Sequence, residues 1–178
     1  MKKPIVYFDL DGVLADFDNG VRDLCNFEPL PQDSKRPKGY DDILWGNIRA
    51  IERFYDKLDL ISGAKEMFLE ANKMFDGCCE ILTGIPKPHR GVLTAKEDKI
   101  SWVRRNLSDT VQVNVVYREE KINFCKNANC ILVDDYYKNI REWSNAGGTG
   151  IHHKNARDTM KFLSSWHGLH LANKNGDN

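Results

Sequence analysis

The sequence has no long apolar run. Nothing in its 178 residues approaches the length of a membrane span, so a transmembrane protein is not expected. It has no excess of either charge: 26 Lys and Arg balance 26 Asp and Glu, for a net charge of +0. A broad basic face for duplex nucleic acid is therefore not expected, although a few local cations would still hold a small phosphorylated ligand. Cysteines are few. The five, Cys25, Cys78, Cys79, Cys125 and Cys130, are odd in number and match no zinc spacing. They read as thiols, with Cys78-Cys79 in the core and a reducing cytoplasm as the expected location. No signal peptide is expected either, because Met1-Lys2-Lys3-Pro4 runs straight into a strand. There is no internal repeat and no low-complexity tract. What remains is a chain long enough for one domain with a real core and a small subdomain.

Within that frame the stretch Ile5-Val6-Tyr7-Phe8-Asp9-Leu10-Asp11-Gly12 stands out. A continuous apolar run reads as a strand buried on both faces of a parallel sheet. It ends in two carboxylates spaced i, i+2, and ligands in open α/β sheets bind beyond the carboxyl ends of the strands. Gly12 lets the backbone turn sharply after them. A second strand, Cys79 to Leu82, ends at Thr83-Gly84. Val111 to Tyr117 is a third, and Glu119 to Asn127 reads as a short helix. A fourth strand, Cys130 to Val133, ends in Asp134-Asp135, and Gly150 to His152 is a weak fifth. Helices alternate with these strands. Thr94 to Glu97 has the form of a capping box, Tyr137 to Ala146 is amphipathic, and Asn155 caps a last helix. Alternation of this kind predicts a three-layer α/β sandwich around a parallel sheet.

Residues 18–76 differ in character. Pro29, Pro31 and Pro37 break the first part, Ile43 to Leu58 reads as a helix, and Ser62 is placed to cap another. The segment reads as a small helical cap inserted after the first strand. The core would then comprise 1–17 and 77–166, with 167–178 a disordered tail.

Acids and hydroxyls on one sheet edge define a chemistry. Four carboxylates, Asp9, Asp11, Asp134 and Asp135, cannot all stay ionised together without a cation, and hard oxygen donors suit Mg²⁺. A carboxylate nucleophile, a second carboxyl for proton transfer, and a hydroxyl with a lysine to hold phosphate oxygens are the parts of a phosphomonoesterase. A phospho-accepting receiver domain also uses strand-end acids, a threonine and a lysine, but needs no D-x-D-G.

The order Asp9-x-Asp11-Gly12, then Thr83, then a lysine, then Asp134-Asp135 resembles the haloacid dehalogenase (HAD) superfamily of phosphatases. Within it, Asp9 to Phe17, Gly63-Ala64, Lys99 to Val103 and Leu132 to Asp135 resemble the 5′(3′)-deoxyribonucleotidases. The resemblance implies Asp9 as nucleophile and magnesium ligand, and Asp11 as general acid/base with its backbone carbonyl on the metal. It implies Asp135 as a further ligand, with Asp134 a ligand or a supporting acid. Thr83 and Gly84 would bind phosphate, with Lys121 and Lys99 competing for the cationic role. Phe17, Tyr40 and Trp45 would grip a nucleobase. Gly84 stands where the family often has a hydroxyl, and Tyr136 where it often has an arginine. His152-His153 read as structural. The expected partner is a nucleoside monophosphate, with sugar phosphates or 3′-phosphate ends as alternatives, and the expected assembly is a monomer or a homodimer.

Overall fold

The computed structural model describes residues 3–176, with side chains through 173. Five strands form one sheet: β1 (Ile5–Phe8), β2 (Cys79–Ile85), β3 (Val113–Tyr117), β4 (Cys130–Asp134) and β5 (Thr149–His152). Their order is β3-β2-β1-β4-β5 and every pairing is parallel. β1 lies centrally, with β2 on one side and β4 on the other, so the chain switches direction there. The order differs from the 2-1-3-4-5 of receiver domains, and the receiver reading falls on that ground.

Side chains alternate across the sheet, as strand geometry requires. Val6, Phe8, Ile81, Ile131 and Val133 enter one core cluster. Tyr7, Leu82, Cys130 and Leu132 enter another on the opposite face. The first cluster is covered by α3 (Ala64–Met74), α4 (Ala95–Asn106) and α6 (Ala156–Gly176), through Phe68, Trp102 and Leu163. The second is covered by α5 (Tyr137–Asn145), through Ile140 and Trp143. Both faces of β1 are thus sealed, which is why its sequence is a continuous apolar run.

Between β1 and α3 lie α1 (Phe17–Cys25), α2 (Tyr40–Ala50) and a 3₁₀ turn, Phe54–Lys57. The segment leaves the core and returns to it side by side. Asp16 N–H donates to the Asp59 carbonyl (2.8 Å), Ile61 N–H donates to the Leu14 carbonyl (2.9 Å), and Ala15 bridges Leu60. Both connections therefore sit directly beyond the end of β1.

Several local expectations need correction. The helix expected over Ile43 to Leu58 stops at Ala50. Arg53 then takes a left-handed backbone (φ 54°) and the 3₁₀ turn follows, which directs Tyr55 inward. Helix α3, counted with the cap, packs on the sheet instead, with Phe68 edge-on to Phe8 (5.5 Å) and Phe75 against Trp166. Its N-cap is Gly63 (φ 77°), and Ser62 makes no cap. Thr94 hydrogen-bonds the Asp98 carboxylate (2.9 Å) and closes no capping box. The segment after β3 is a 3₁₀ helix, Arg118–Phe124. Residues 167–176 continue α6 where disorder was expected, and 177 and 178 lie outside the described residues. Asn155 does cap α6, accepting from Asp158 N–H (2.9 Å). Among the described residues all five cysteines are free thiols, and no helix is long and apolar enough to cross a membrane.

Candidate active site

The three strand ends converge. Asp9 follows β1, its N–H still in the ladder to Val133 (2.9 Å). The carbonyl of Leu10 then accepts the N–H groups of Val13, Leu14 and Ala15, winding the chain into a tight turn. Gly12 is needed in that turn twice over. Its φ is +73°, and a Cβ there would overlap the carboxylate of Asp135. The glycine lets the β1 and β4 ends approach each other.

Asp9, Asp134 and Asp135 each present a carboxylate oxygen, all within 4.8 Å of one another. Lys121 bridges two of them, at 2.9 Å from Asp9 Oδ2 and 2.7 Å from Asp134 Oδ2. Burial opposes the Lys121 ammonium, but Asp134 and Asp9 outweigh it and raise its pKa. Asp134 is fully enclosed. Its Oδ2 also accepts from Asn139 (2.9 Å), and its Oδ1 accepts from Tyr136 N–H (2.9 Å). Burial pushes the Asp134 carboxyl up against the pull of Lys121. Asp135 forms no ion pair among the described residues. Burial, then Asp9 and Asp134, push it up to about 8. A cluster of hard oxygen donors whose repulsion is only partly relieved fits a divalent cation of the Mg²⁺ type. Asp135 is the residue of the three whose carboxylate is open to it; Asp9 Oδ1 accepts from Leu10 N–H (2.8 Å) and its Oδ2 meets Lys121, so Asp9 would share an engaged oxygen with the cation.

Asp11 takes a different partner. Its Oδ2 accepts from Lys99 Nζ at 2.6 Å, while its Oδ1 is buried with no hydrogen-bond partner among the described residues. Burial raises the Asp11 carboxyl, Lys99 opposes this, and Asp9 adds to it.

The structure separates the two expected phosphate lysines. Lys121 lines a cavity of about 540 Å³ with Asp9, Asp11, Gly12, Gly84 and Asp135. Lys99 does not line it. Lys99 is wholly buried, bonded to Asp11 and to Thr83 Oγ1 (3.0 Å), with the Tyr55 ring beneath it at 4.4 Å. Thr83 is likewise fully buried, its hydroxyl turned to Lys99, and it does not line the cavity. A larger open groove between α3 and α6 contains none of these strand-end residues.

The three expected base-binding aromatics also separate. Phe17 and Trp45 line the cavity, and Phe17 stacks on Tyr55 (6.2 Å between centroids). Tyr40 does not line it. Its hydroxyl accepts from Leu30 N–H (2.6 Å), its ring packs on Phe27, and Arg36 lies over its face. Tyr40 therefore anchors the loop between α1 and α2, whose Pro31, Gln32, Asp33 and Arg36 form part of the cavity wall. Among the wall residues not foreseen are Tyr55, Arg118 and Asn139. Arg118 directly follows the end of β3, so the strand-end rule already used for the acids would have found it. Asn139 receives a hydrogen bond from Arg118 (3.0 Å) and donates to Asp134, but no sequence pattern marks it. Of the two histidines, His153 borders the cavity and is bonded to Thr159 (2.8 Å), while His152 Nε2 lies 2.8 Å from the Asp135 carbonyl oxygen.

No family model matches the chain. Among the solved structures that resemble it in fold are two hydrolases. A HAD-superfamily hydrolase from Ehrlichia chaffeensis superposes with a TM-score of 0.50 at 17% identity, covering 93% of this chain and 98% of that one. A hydrolase from Streptococcus pneumoniae TIGR4 gives 0.51 at 14% identity, covering 92% and 100%. In sequence, the chain is 30% identical over 138 residues to a Vibrio phage KVP40 protein named "Putative 5'(3')-deoxyribonucleotidase", spanning 77% of this chain and 69% of the phage protein. With that identity and coverage, and with the HAD-like sheet and its strand-end acids in place, the chain belongs to the 5′(3′)-deoxyribonucleotidase-like family of HAD-superfamily hydrolases.

Proposed function

We propose that this protein is a Mg²⁺-dependent phosphomonoesterase of the 5′(3′)-deoxyribonucleotidase type, acting on nucleoside monophosphates through an aspartyl-phosphate. The observation that carries the reading is the Asp9 carboxylate on the cavity floor, with Lys121 2.9 Å from it and Asp11 beside it.

In this reading Asp9 attacks phosphorus, and the bond from phosphorus to the ester oxygen breaks. Asp11 gives its proton to the departing oxygen. Water then attacks the aspartyl-phosphate, Asp11 takes the water proton, and inorganic phosphate leaves with the Asp9 carboxylate restored. Lys121 neutralises phosphate charge, and the N–H of Gly84 offers a donor in place of the family's hydroxyl. Asp9 and Asp135, with the Asp11 carbonyl, would hold Mg²⁺, which supplies charge neutralisation for the phosphoryl oxygens. Phe17 and Trp45, which line the cavity, would stack on a base, and base–aromatic stacking is worth about 1–3 kcal/mol per base.

The test is phosphate release from deoxyribonucleoside and ribonucleoside monophosphates and from sugar phosphates, with Mg²⁺ and with chelator. Turnover of deoxyribonucleotides that vanishes with chelator is expected. A preference for sugar phosphates would instead leave a HAD phosphatase of another small ester.

A further inference from the structure

The buried Lys99 is unused by the mechanism above. Its ammonium has three N–H groups. One donates to Asp11 Oδ2 at 2.6 Å and another to Thr83 Oγ1 at 3.0 Å. The Tyr55 ring, 4.4 Å from Nζ, covers a further side of the ammonium. With no exposed surface and those contacts filled, Lys99 has nothing left to offer a phosphate.

The surroundings of Lys99 are equally fixed. Asp98, fully buried on α4, accepts from Arg53 Nε (2.7 Å) and is bonded to Thr94 (2.9 Å). Trp102 Nε1 donates to the Leu58 carbonyl (2.6 Å). Arg105 reaches Asp56 at 2.8 Å. One helix thus grips the whole turn 53–58 and holds Tyr55 over Lys99.

The consequence falls on Asp11. Its Oδ2 is pinned by Lys99 and its Oδ1 is buried with no protein partner among the described residues, while the side chain lines the cavity and stays 26% exposed. We propose that Lys99 is a positioning residue for the general acid. It fixes the orientation of the Asp11 carboxyl at the cavity wall, with Tyr55 and the Arg53–Asp98 pair holding Lys99 in place. The inference rests on the phosphatase reading and not on the choice of nucleotide.

A residue acting through the general acid has a signature that a structural residue lacks. Esters with acidic leaving groups need no proton, whereas alkyl esters do. The experiment measures single-turnover release of the leaving group from para-nitrophenyl phosphate and from a base-free alkyl phosphate, 2-deoxyribose 5-phosphate, together with KM, for wild type, Lys99→Met and Tyr55→Leu. In Lys99→Met the rate on the alkyl ester should fall by ~10²-fold, the lower end for lost general acid catalysis, while the aryl ester stays within roughly threefold and both KM values hold. Tyr55→Leu keeps every charge in place and should show the same contrast at smaller size, so it reads the proposal even where Lys99→Met does not fold. Equal losses on both esters, or a rise in both KM values, would overturn it, the second by making Lys99 a phosphate ligand after all. A wild type inert on every phosphomonoester would overturn the phosphatase reading itself.

Discussion

Asp9 and Asp11 are two residues apart, yet their surroundings differ, and the proposed mechanism gives them different tasks. Asp9 pairs with Lys121 and shares its cluster with Asp135, whereas Asp11 pairs with Lys99 and keeps its Oδ1 enclosed without a hydrogen-bond partner among the described residues. Asp9→Asn should abolish turnover, because an amide does not attack phosphorus. It should leave the melting temperature close to that of wild type, since the site lies beyond the strand. Substantial activity in the pure variant would remove Asp9 from the nucleophile role. Asp11→Asn should still bind Mg²⁺ and lose ~10²–10⁴ in kcat, the usual worth of general acid–base catalysis. Loss of metal binding with turnover preserved at saturating Mg²⁺ would reverse the assignment. Gly12 gives a third residue-level prediction. Gly12→Ala must place a methyl where the Asp135 carboxylate lies, from a left-handed backbone. The Mg²⁺ concentration for half-maximal activity should rise by roughly tenfold, equivalent to about 1.4 kcal/mol of ligand displacement. An unchanged Mg²⁺ requirement would show that Asp135 is not a ligand.

At the scale of elements, the inserted segment divides into a wall and its anchor. α1 contributes Phe17 and α2 contributes Trp45 to the cavity, while Tyr40 fastens the loop between them through Leu30. Phe17→Ala should weaken nucleotide binding by about 1–3 kcal/mol and barely change hydrolysis of para-nitrophenyl phosphate, which has no base to stack. Tyr40→Phe keeps the ring and removes only the acceptor for Leu30 N–H. It should cost about 0.5–1.5 kcal/mol in stability, the net worth of a hydrogen bond that is partly open to water. The measurements are kcat/KM on dUMP and para-nitrophenyl phosphate, and urea unfolding. Equal kinetic losses on both substrates in Phe17→Ala would make that ring a packing residue.

For the whole molecule, the acid cluster links metal, pH and stability. The folded-state pKa of Asp135 is raised to about 8, above its unfolded value. Between roughly pH 4 and pH 8 the unfolded chain releases that proton while the folded chain retains it. Stability without metal should therefore decline as pH rises through this window and level off above it. Mg²⁺ replaces the proton, so its stabilising effect should grow across the same window. At a hundredfold excess over Kd the gain is about 2.7 kcal/mol, or roughly 5–10 °C in Tm for a chain of this size. Melting curves at pH 5 and pH 8, with and without Mg²⁺, give the check. A Mg²⁺ effect that shrinks with pH would argue against a carboxylate site.

The sequence by itself determined which strands exist and what they end in. A continuous apolar run bounded by acids specifies a buried parallel strand and its ligand-binding end, because burial on both faces and strand-end placement are written in local pattern. The strand-end positions of Asp9, Asp11 and Asp135 were legible for that reason, and so was the break after β1, where prolines and helical periodicity interrupt the alternation of strands and helices. What pattern does not carry is direction after a turn. Lys99 and Lys121 look alike in sequence, as do Tyr40 and Trp45. Only the packing of α4 under the turn 53–58 turns Lys99 inward to Asp11, and only the 3₁₀ segment before β4 turns Lys121 into the cavity. Tyr40 lacks a place in the cavity wall because its hydroxyl meets Leu30 N–H. Tyr55 gained one because the helix before it stops at Ala50 and the backbone reverses at Arg53. Those outcomes depend on contacts between residues far apart in the chain, and such contacts exist only once the chain has folded.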